Sequence, residues 1–241
     1  MELIAVDTAA DTAEVIVELV AVRSPRHLGV ATGSSPEPTY RELVRRRVLH
    51  PDTKLYLVDE YVGLPHGSPS SYRATISRQL ADPSGGLRIV GPDVHRDDLA
   101  TAADDYEQML HDIGGVDLQL LGIGRNGHIG FNEPATPFSS RTRVAQLSAD
   151  TRSDNARFFT SPLDVPTRCI TQGLATISTA TEIILIATGH AKAAAVAALL
   201  TRAPTPALPA SALLGHPGVV LVADSGARSL LQDSYSHSEQ P

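Results

Sequence analysis

The sequence predicts an α/β fold: a single doubly wound domain over residues 1–241, with a mostly parallel sheet and helices on both faces. Three observations lead there. The 241 residues lie within the range that such folds fill as one domain. Short apolar runs alternate with longer segments of helical spacing, the pattern of strands joined by crossover helices. Several runs are apolar almost without interruption, as strands covered on both faces should be.

The elements follow in order. Residues 11–23 carry apolar side chains at helical spacing and predict a helix. A strand at 26–31 runs into Thr32-Gly33-Ser34-Ser35-Pro36. A helix over 36–49 opens at that proline, with Ser35 as its N-cap. The run at 54–58 is the next strand, and Asp59-Glu60-Tyr61 reads as the loop leaving it. Helices at 69–81 and 97–113 flank a strand at 87–90. A strand at 117–123 leads into a glycine-rich loop. Helices are expected at 151–159, 173–180 and 190–202, and strands at 182–187 and 219–223. Pro204, Pro206 and Pro209 make a proline-rich connection, and the polar stretch 234–241 is expected to fray.

Composition removes several functions. Asp and Glu number 27 against 20 Lys and Arg, and a net charge of −7 repels nucleic-acid phosphates. A small phosphorylated ligand needs only local donors and stays open. One cysteine, Cys169, excludes an internal disulfide and any multi-cysteine metal site. The first 22 residues are too acidic for a signal peptide. The most apolar stretch is interrupted by His190 and Lys192, so no membrane span is expected. A soluble, cytoplasmic protein is the expectation.

Three motifs carry chemistry. In Thr32-Gly33-Ser34-Ser35, glycine allows close backbone approach, and free N–H groups at a helix start favour an anion. A plain Gly/Ser turn would look the same. Asp59 stands at the carboxyl end of a strand, where open α/β sheets bind ligands and a carboxylate can serve as general base. Two adjacent exposed acids would also look like this. The run Gly122-Ile123-Gly124-Arg125-Asn126-Gly127-His128-Ile129-Gly130-Phe131-Asn132-Glu133-Pro134 puts His128 and Glu133 on one tight loop. A histidine there, with a carboxylate near, is an acid/base candidate, although a lone histidine is commonly structural. The three motifs end three different strands on one sheet edge, which says more than any of them alone. Arg157, in Asn155-Ala156-Arg157-Phe158-Phe159, and Lys192, past the strand at 182–187, could add charge to a phosphate site. Either could also be an ordinary surface cation.

The runs LGVATGSSPEPTYREL (28–43), LYLVDEYVGL (55–64), LLGIGRNGHIGFNEP (120–134), FSSRTRVAQL (138–147) and NARFF (155–159) occur in the order found in a known family. With further runs they span nearly the whole chain. The sequence resembles glucosamine-6-phosphate deaminases, also called glucosamine-6-phosphate isomerases. The GHIGFNEP and SSRTR runs are the specific ones.

The resemblance implies a doubly wound α/β domain and conversion of glucosamine 6-phosphate and water to fructose 6-phosphate and ammonia. It implies no metal and no organic cofactor. Asp59 would be the base moving a proton between C2 and C1, and His128 would assist ring opening. Glu133 would orient and tune that histidine. Residues Thr32, Gly33, Ser34, Ser35, Arg157 and Lys192 would hold the phosphate.

The chain departs from the family pattern at two places. Asn126 stands where aspartate is common, and an amide cannot give an imidazolium a full counter-charge. Ala145 stands where members activated by N-acetylglucosamine 6-phosphate carry a lysine, while Arg143 matches another effector-binding cation. Loss of that activation is therefore expected. The family includes monomers and hexamers, so a homo-oligomer stays open. Rival readings are a 6-phosphogluconolactonase of the same fold, a sugar-phosphate sensor, and a deaminase for the galactosamine epimer. The FNEP and DEY runs speak against the first. The short segment before the first motif leaves no room for a helix-turn-helix in the second.

Overall fold

A computed structural model describes residues 1–231. Seven parallel strands form the main sheet. They are β1 (Glu2–Ala5), β2 (His27–Val30), β3 (Lys54–Leu57), β5 (Ile89–Val90), β6 (Leu118–Gly122), β9 (Glu182–Ala187) and β10 (Val219–Ala223). Their spatial order is β1-β10-β9-β6-β2-β3-β5.

The alternation of side chains across this sheet builds a core on each face. On β9, Ile184 and Ile186 join a cluster with Ile16, Val17 and Val20 of α1 (Ala9–Arg23) and with Tyr40 and Leu43 of α2 (Glu37–Arg46). Ile183 and Leu185 face the other way, into a cluster with Tyr106 and Leu110 of α4 (Leu99–Asp112) and with Ala195, Val196 and Leu199 of α7 (Ala193–Thr201). The near-continuous apolar strands therefore serve two layers of helices, as their composition predicts.

Helix ends follow local chemistry. In α1, Thr8 and Asp11 form a reciprocal capping box. Asp98 caps α4 through the N–H groups of Ala100 and Thr101. At α2 the expectation fails. Pro36 occupies the cap position without a side-chain cap bond, and Ser35 instead accepts a hydrogen bond from Thr188 at 3.2 Å. That bond ties the turn after β2 to the turn after β9.

Four strands escape the sequence pattern. One is β1, a four-residue edge strand paired with β10. The others are β4 (Asp59–Val62), β7 (Arg143–Gln146) and β8 (Arg168–Thr171), which form a separate antiparallel sheet in the order β4-β8-β7. Asp59-Glu60-Tyr61 is therefore not a loop. Only Val58 separates β3 from β4, and Asp59 opens the new strand opposite Thr171.

The expected strand at 87–90 contracts to Ile89–Val90. The expected helix at 69–81 is a short α3 (Tyr72–Ile76) that widens into one π turn, Ser77–Ala81. That at 151–159 is α5 (Ala149–Asn155) followed by a 3₁₀ turn, Ala156–Phe158. That at 173–180 is a single turn, α6 (Leu174–Ile177). The expected fraying of 234–241 lies outside the described residues. No helix among the described residues is long and apolar enough to cross a membrane.

Candidate active site

The strand order reverses between β2 and β6, since the chain builds outward from β2 through β3 to β5 and returns on the other side through β6. A doubly wound sheet opens a crevice at the carboxyl ends of such a pair. Such a cleft opens here. The turn after β2 brings Thr32, Gly33, Ser34 and Ser35 to it, the start of β4 brings Asp59, the loop after β6 brings His128, and the turn after β9 brings Lys192. Arg157 enters from the 3₁₀ turn behind α5.

Asp59 is 6% exposed and accepts no hydrogen bond from the described residues. Burial, with a smaller contribution from the neighbouring charge of Glu60, pushes its pKa up to about 8. Glu60 points to other work. Its carboxylate accepts from the backbone N–H groups of Tyr61, Tyr72 and Arg73, at 2.8, 2.9 and 2.8 Å, so it anchors the start of α3. Tyr72, thus placed, lines the cleft and stacks on Phe131 at 5.8 Å.

His128 owes its position to the glycines around it. A Cβ at Gly124 would lie 2.3 Å from the imidazole, so only glycine leaves room for the ring. Gly130, at φ +54°, brings the loop so close that its Cβ would lie 2.8 Å from Val58, next to Asp59.

Behind His128 runs a short relay. Asn126 Oδ1 accepts from the backbone N–H of His128 at 3.1 Å and lies 2.7 Å from His128 Nδ1. Asn126 Nδ2 donates to Glu133 at 3.0 Å. A backbone N–H can only donate and a carboxylate can only accept, so the amide's orientation is fixed at both ends. It follows that Nδ1 of His128 carries the proton and Nε2 is the free acceptor.

Ser148, at 3.0 Å, and Thr151 donate to Oε1 of Glu133, while Oε2, the oxygen bound by Asn126, stands 4.0 Å from His128 Nδ1. Burial lowers the pKa of His128. The charge of Glu133 pulls it back up, Lys192 opposes that, and Asp154 assists it.

Lys192 is held below the usual lysine range, chiefly by burial; Asp154 raises it while Arg125 and Arg157 lower it. Three cations and one carboxylate thus share this end of the cleft.

Arg125, Thr151 and Asp154 also border the cleft and escape the sequence reading. Arg125 lies within the glycine-rich loop and pairs with Asp154 of α5. The signal was its place inside a loop already singled out. Thr151 and Asp154 gave none, because their role depends on where α5 packs.

A family model described as glucosamine-6-phosphate isomerases/6-phosphogluconolactonase matches residues 1–222. A glucosamine-6-phosphate deaminase of Beutenbergia cavernae is 44% identical over 244 residues, covering 96% of this chain and 93% of that protein. One from Pseudarthrobacter chlorophenolicus is 46% identical over 233 residues, covering 94% and 90%. Among solved structures, a monomeric glucosamine-6-phosphate deaminase superimposes with a TM-score of 0.92 at 37% identity, covering 95% of this chain and 100% of that one. A 6-phosphogluconolactonase from Trypanosoma cruzi shares the fold at TM-score 0.74 and 18% identity, covering 95% and 96%. This chain belongs to the glucosamine-6-phosphate isomerase/6-phosphogluconolactonase family.

Proposed function

We propose that the protein is a glucosamine-6-phosphate deaminase, releasing fructose 6-phosphate and ammonia from glucosamine 6-phosphate and water. One observation carries the reading: an unpartnered buried carboxyl group, Asp59, shares a cleft with a neutral histidine, with Arg157 and Lys192, and with the turn at residues 32–35. Ester or lactone hydrolysis needs the histidine and the phosphate site. A second base beside it is what proton transfer between adjacent carbons requires. The many relatives named as deaminases at 42–46% identity agree with this reading.

The residues divide the work as follows. Backbone N–H groups of residues 32–35, with Arg157 and Lys192, hold the 6-phosphate, a remote handle that fixes the reacting carbons. The Nε2 atom of His128 takes the proton of the anomeric hydroxyl and passes it to the ring oxygen as the C1–O5 bond breaks. Glu133, acting through Asn126, steadies the imidazolium formed in between. Asp59 then removes the C2 proton while the substrate's own ammonium gives a proton to O1, which yields an enolamine, and Asp59 returns its proton to C1, which yields a protonated ketimine. Water adds at C2 and ammonia leaves. A soluble cytoplasmic setting suits a charged substrate of this kind.

The test is ammonia release from a panel of 6-phosphorylated sugars, run beside hydrolysis of 6-phosphogluconolactone. Release from glucosamine 6-phosphate is the expected result. Lactone hydrolysis with the amino sugars untouched would overturn the proposal.

A further inference from the structure

Asp59 and His128 arrive on different elements, and something must set the distance between them. Three buried polar residues span the gap. Asn132 is 0% exposed and its Nδ2 donates to the carbonyls of Ile129, next to His128, and of Gln172, at 3.0 and 2.8 Å. Gln172 is 2% exposed; its backbone N–H donates to Val58 O at 2.8 Å and its side chain to Leu57 O at 3.0 Å. Those two carbonyls immediately precede Asp59. Thr171 Oγ1 accepts from the N–H of Phe131 at 3.2 Å and adds a second tie between the loop and β8.

The remaining acceptor of this network is Asn132 Oδ1, and a cation fills it. Arg143, on β7, donates to it at 2.9 Å. Burial lowers the pKa of this guanidinium, so part of its hydration is replaced by that contact. A charged donor on the amide oxygen polarises the amide and strengthens the two bonds its N–H groups make.

We propose that Arg143 is a positioning residue which, through Asn132 and Gln172, sets the His128 loop against Asp59. The inference rests on the deaminase reading and assigns Arg143 an internal task in place of the effector contact that its sequence position suggested. The phosphate cradle is built from other residues, so the effect should fall on turnover and not on substrate affinity. Reacting groups displaced by about 1 Å can cost up to 10²-fold in rate.

The experiment is steady-state kinetics of Arg143→Met, Arg143→Lys, Asn132→Ala and the double variant Asn132→Ala/Arg143→Met. Arg143→Met is expected to lower kcat about tenfold with KM within about twofold, and Arg143→Lys to recover part of the loss. The double variant is expected to be no slower than Asn132→Ala alone, because both changes break one path. Unchanged kcat in Arg143→Met, or losses that multiply in the double variant, would overturn the proposal.

A second measurement needs no activity. In Arg143→Met, hydrogen exchange should speed up at the amides of Phe131 and Gln172, while amides between β6 and β9 keep their protection. If the wild-type protein releases no ammonia, the deaminase reading falls and this exchange still decides the positioning role. Unchanged exchange at both amides refutes it.

Discussion

Asp59 is largely protonated in the free protein at neutral pH, because its pKa of about 8 lies well above its ordinary value of 3.8. The base form therefore grows as pH rises, and kcat/KM should climb between about pH 6.5 and 8.5. A pH–rate profile in that range checks this. The same shift affects stability. Between pH 3.8 and about 8 the unfolded chain has released this proton while the native state keeps it, so stability falls as pH rises through that window, by at most about 1.4 kcal/mol per unit. Asn does not titrate. Asp59→Asn should thus lose roughly 10²–10⁴-fold in turnover yet resist urea better than wild type, by a margin that grows from pH 4 to pH 8. At Asn126, substitution by Asp would put a carboxylate 2.7 Å from His128 Nδ1, where the amide oxygen now sits. The imidazolium gains a direct counter-charge, and the His128 titration followed by NMR should move up by about one unit. His128 and Asp59 were legible in the sequence because their motifs abut strands. Thr151 was not, and Arg143 was singled out only for an effector contact, since the place of each here depends on a partner that folding brings to it.

At the scale of elements, the six strands with apolar runs could be read, and β1, β4, β7 and β8 could not. β4 starts with two acids, and β7 and β8 each open on an arginine. The second sheet buries Tyr61 and Cys169 in one small apolar cluster and Val62 and Ile170 in another, and in its register Asp59, Tyr61 and Val62 face Thr171, Cys169 and Arg168 across β4 and β8. The loop after β6 depends on glycine in a way that can be measured. Gly124→Ala would drive a methyl into the imidazole ring, and the ring must turn or the loop must open. Overpacking of this kind costs about 1–3 kcal/mol. The expected outcome is a small fall in thermal midpoint with a far larger fall in kcat, seen by calorimetry beside the ammonia assay. Equal turnover in the variant would place the working histidine elsewhere.

For the molecule as a whole, the sequence revealed the sheet, its two layers of helices and the edge on which the site lies. Strand order was not legible, because pairing between strands distant in the chain leaves no local trace. Whole-molecule regulation follows from two positions on β7. Ala145 offers no charge, and the Arg143 guanidinium is engaged with Asn132. A charge-assisted contact with a phosphate is worth roughly 1.5–3 kcal/mol, as large as a typical coupling free energy of about 1–3 kcal/mol. Initial rates against substrate should therefore be hyperbolic, and millimolar N-acetylglucosamine 6-phosphate should not change their shape. A sigmoidal curve that the effector straightens would restore Arg143 to an effector site.

The pairing of β1 with β10 matters for how the chain is made. Glu2 lies opposite Val220 and Ala5 opposite Ala223, so the first strand to leave the ribosome waits for the last strand of the sheet. At about 5–20 residues per second, that delay is roughly ten to forty seconds. In its last part, between the emergence of β9 and that of β10, β9 also lacks the neighbour that covers its outer edge, since β10 lies between β1 and β9. The apolar edge of a half-made sheet is thus open while synthesis continues, and this is the interval in which a nascent chain of this fold most needs a chaperone.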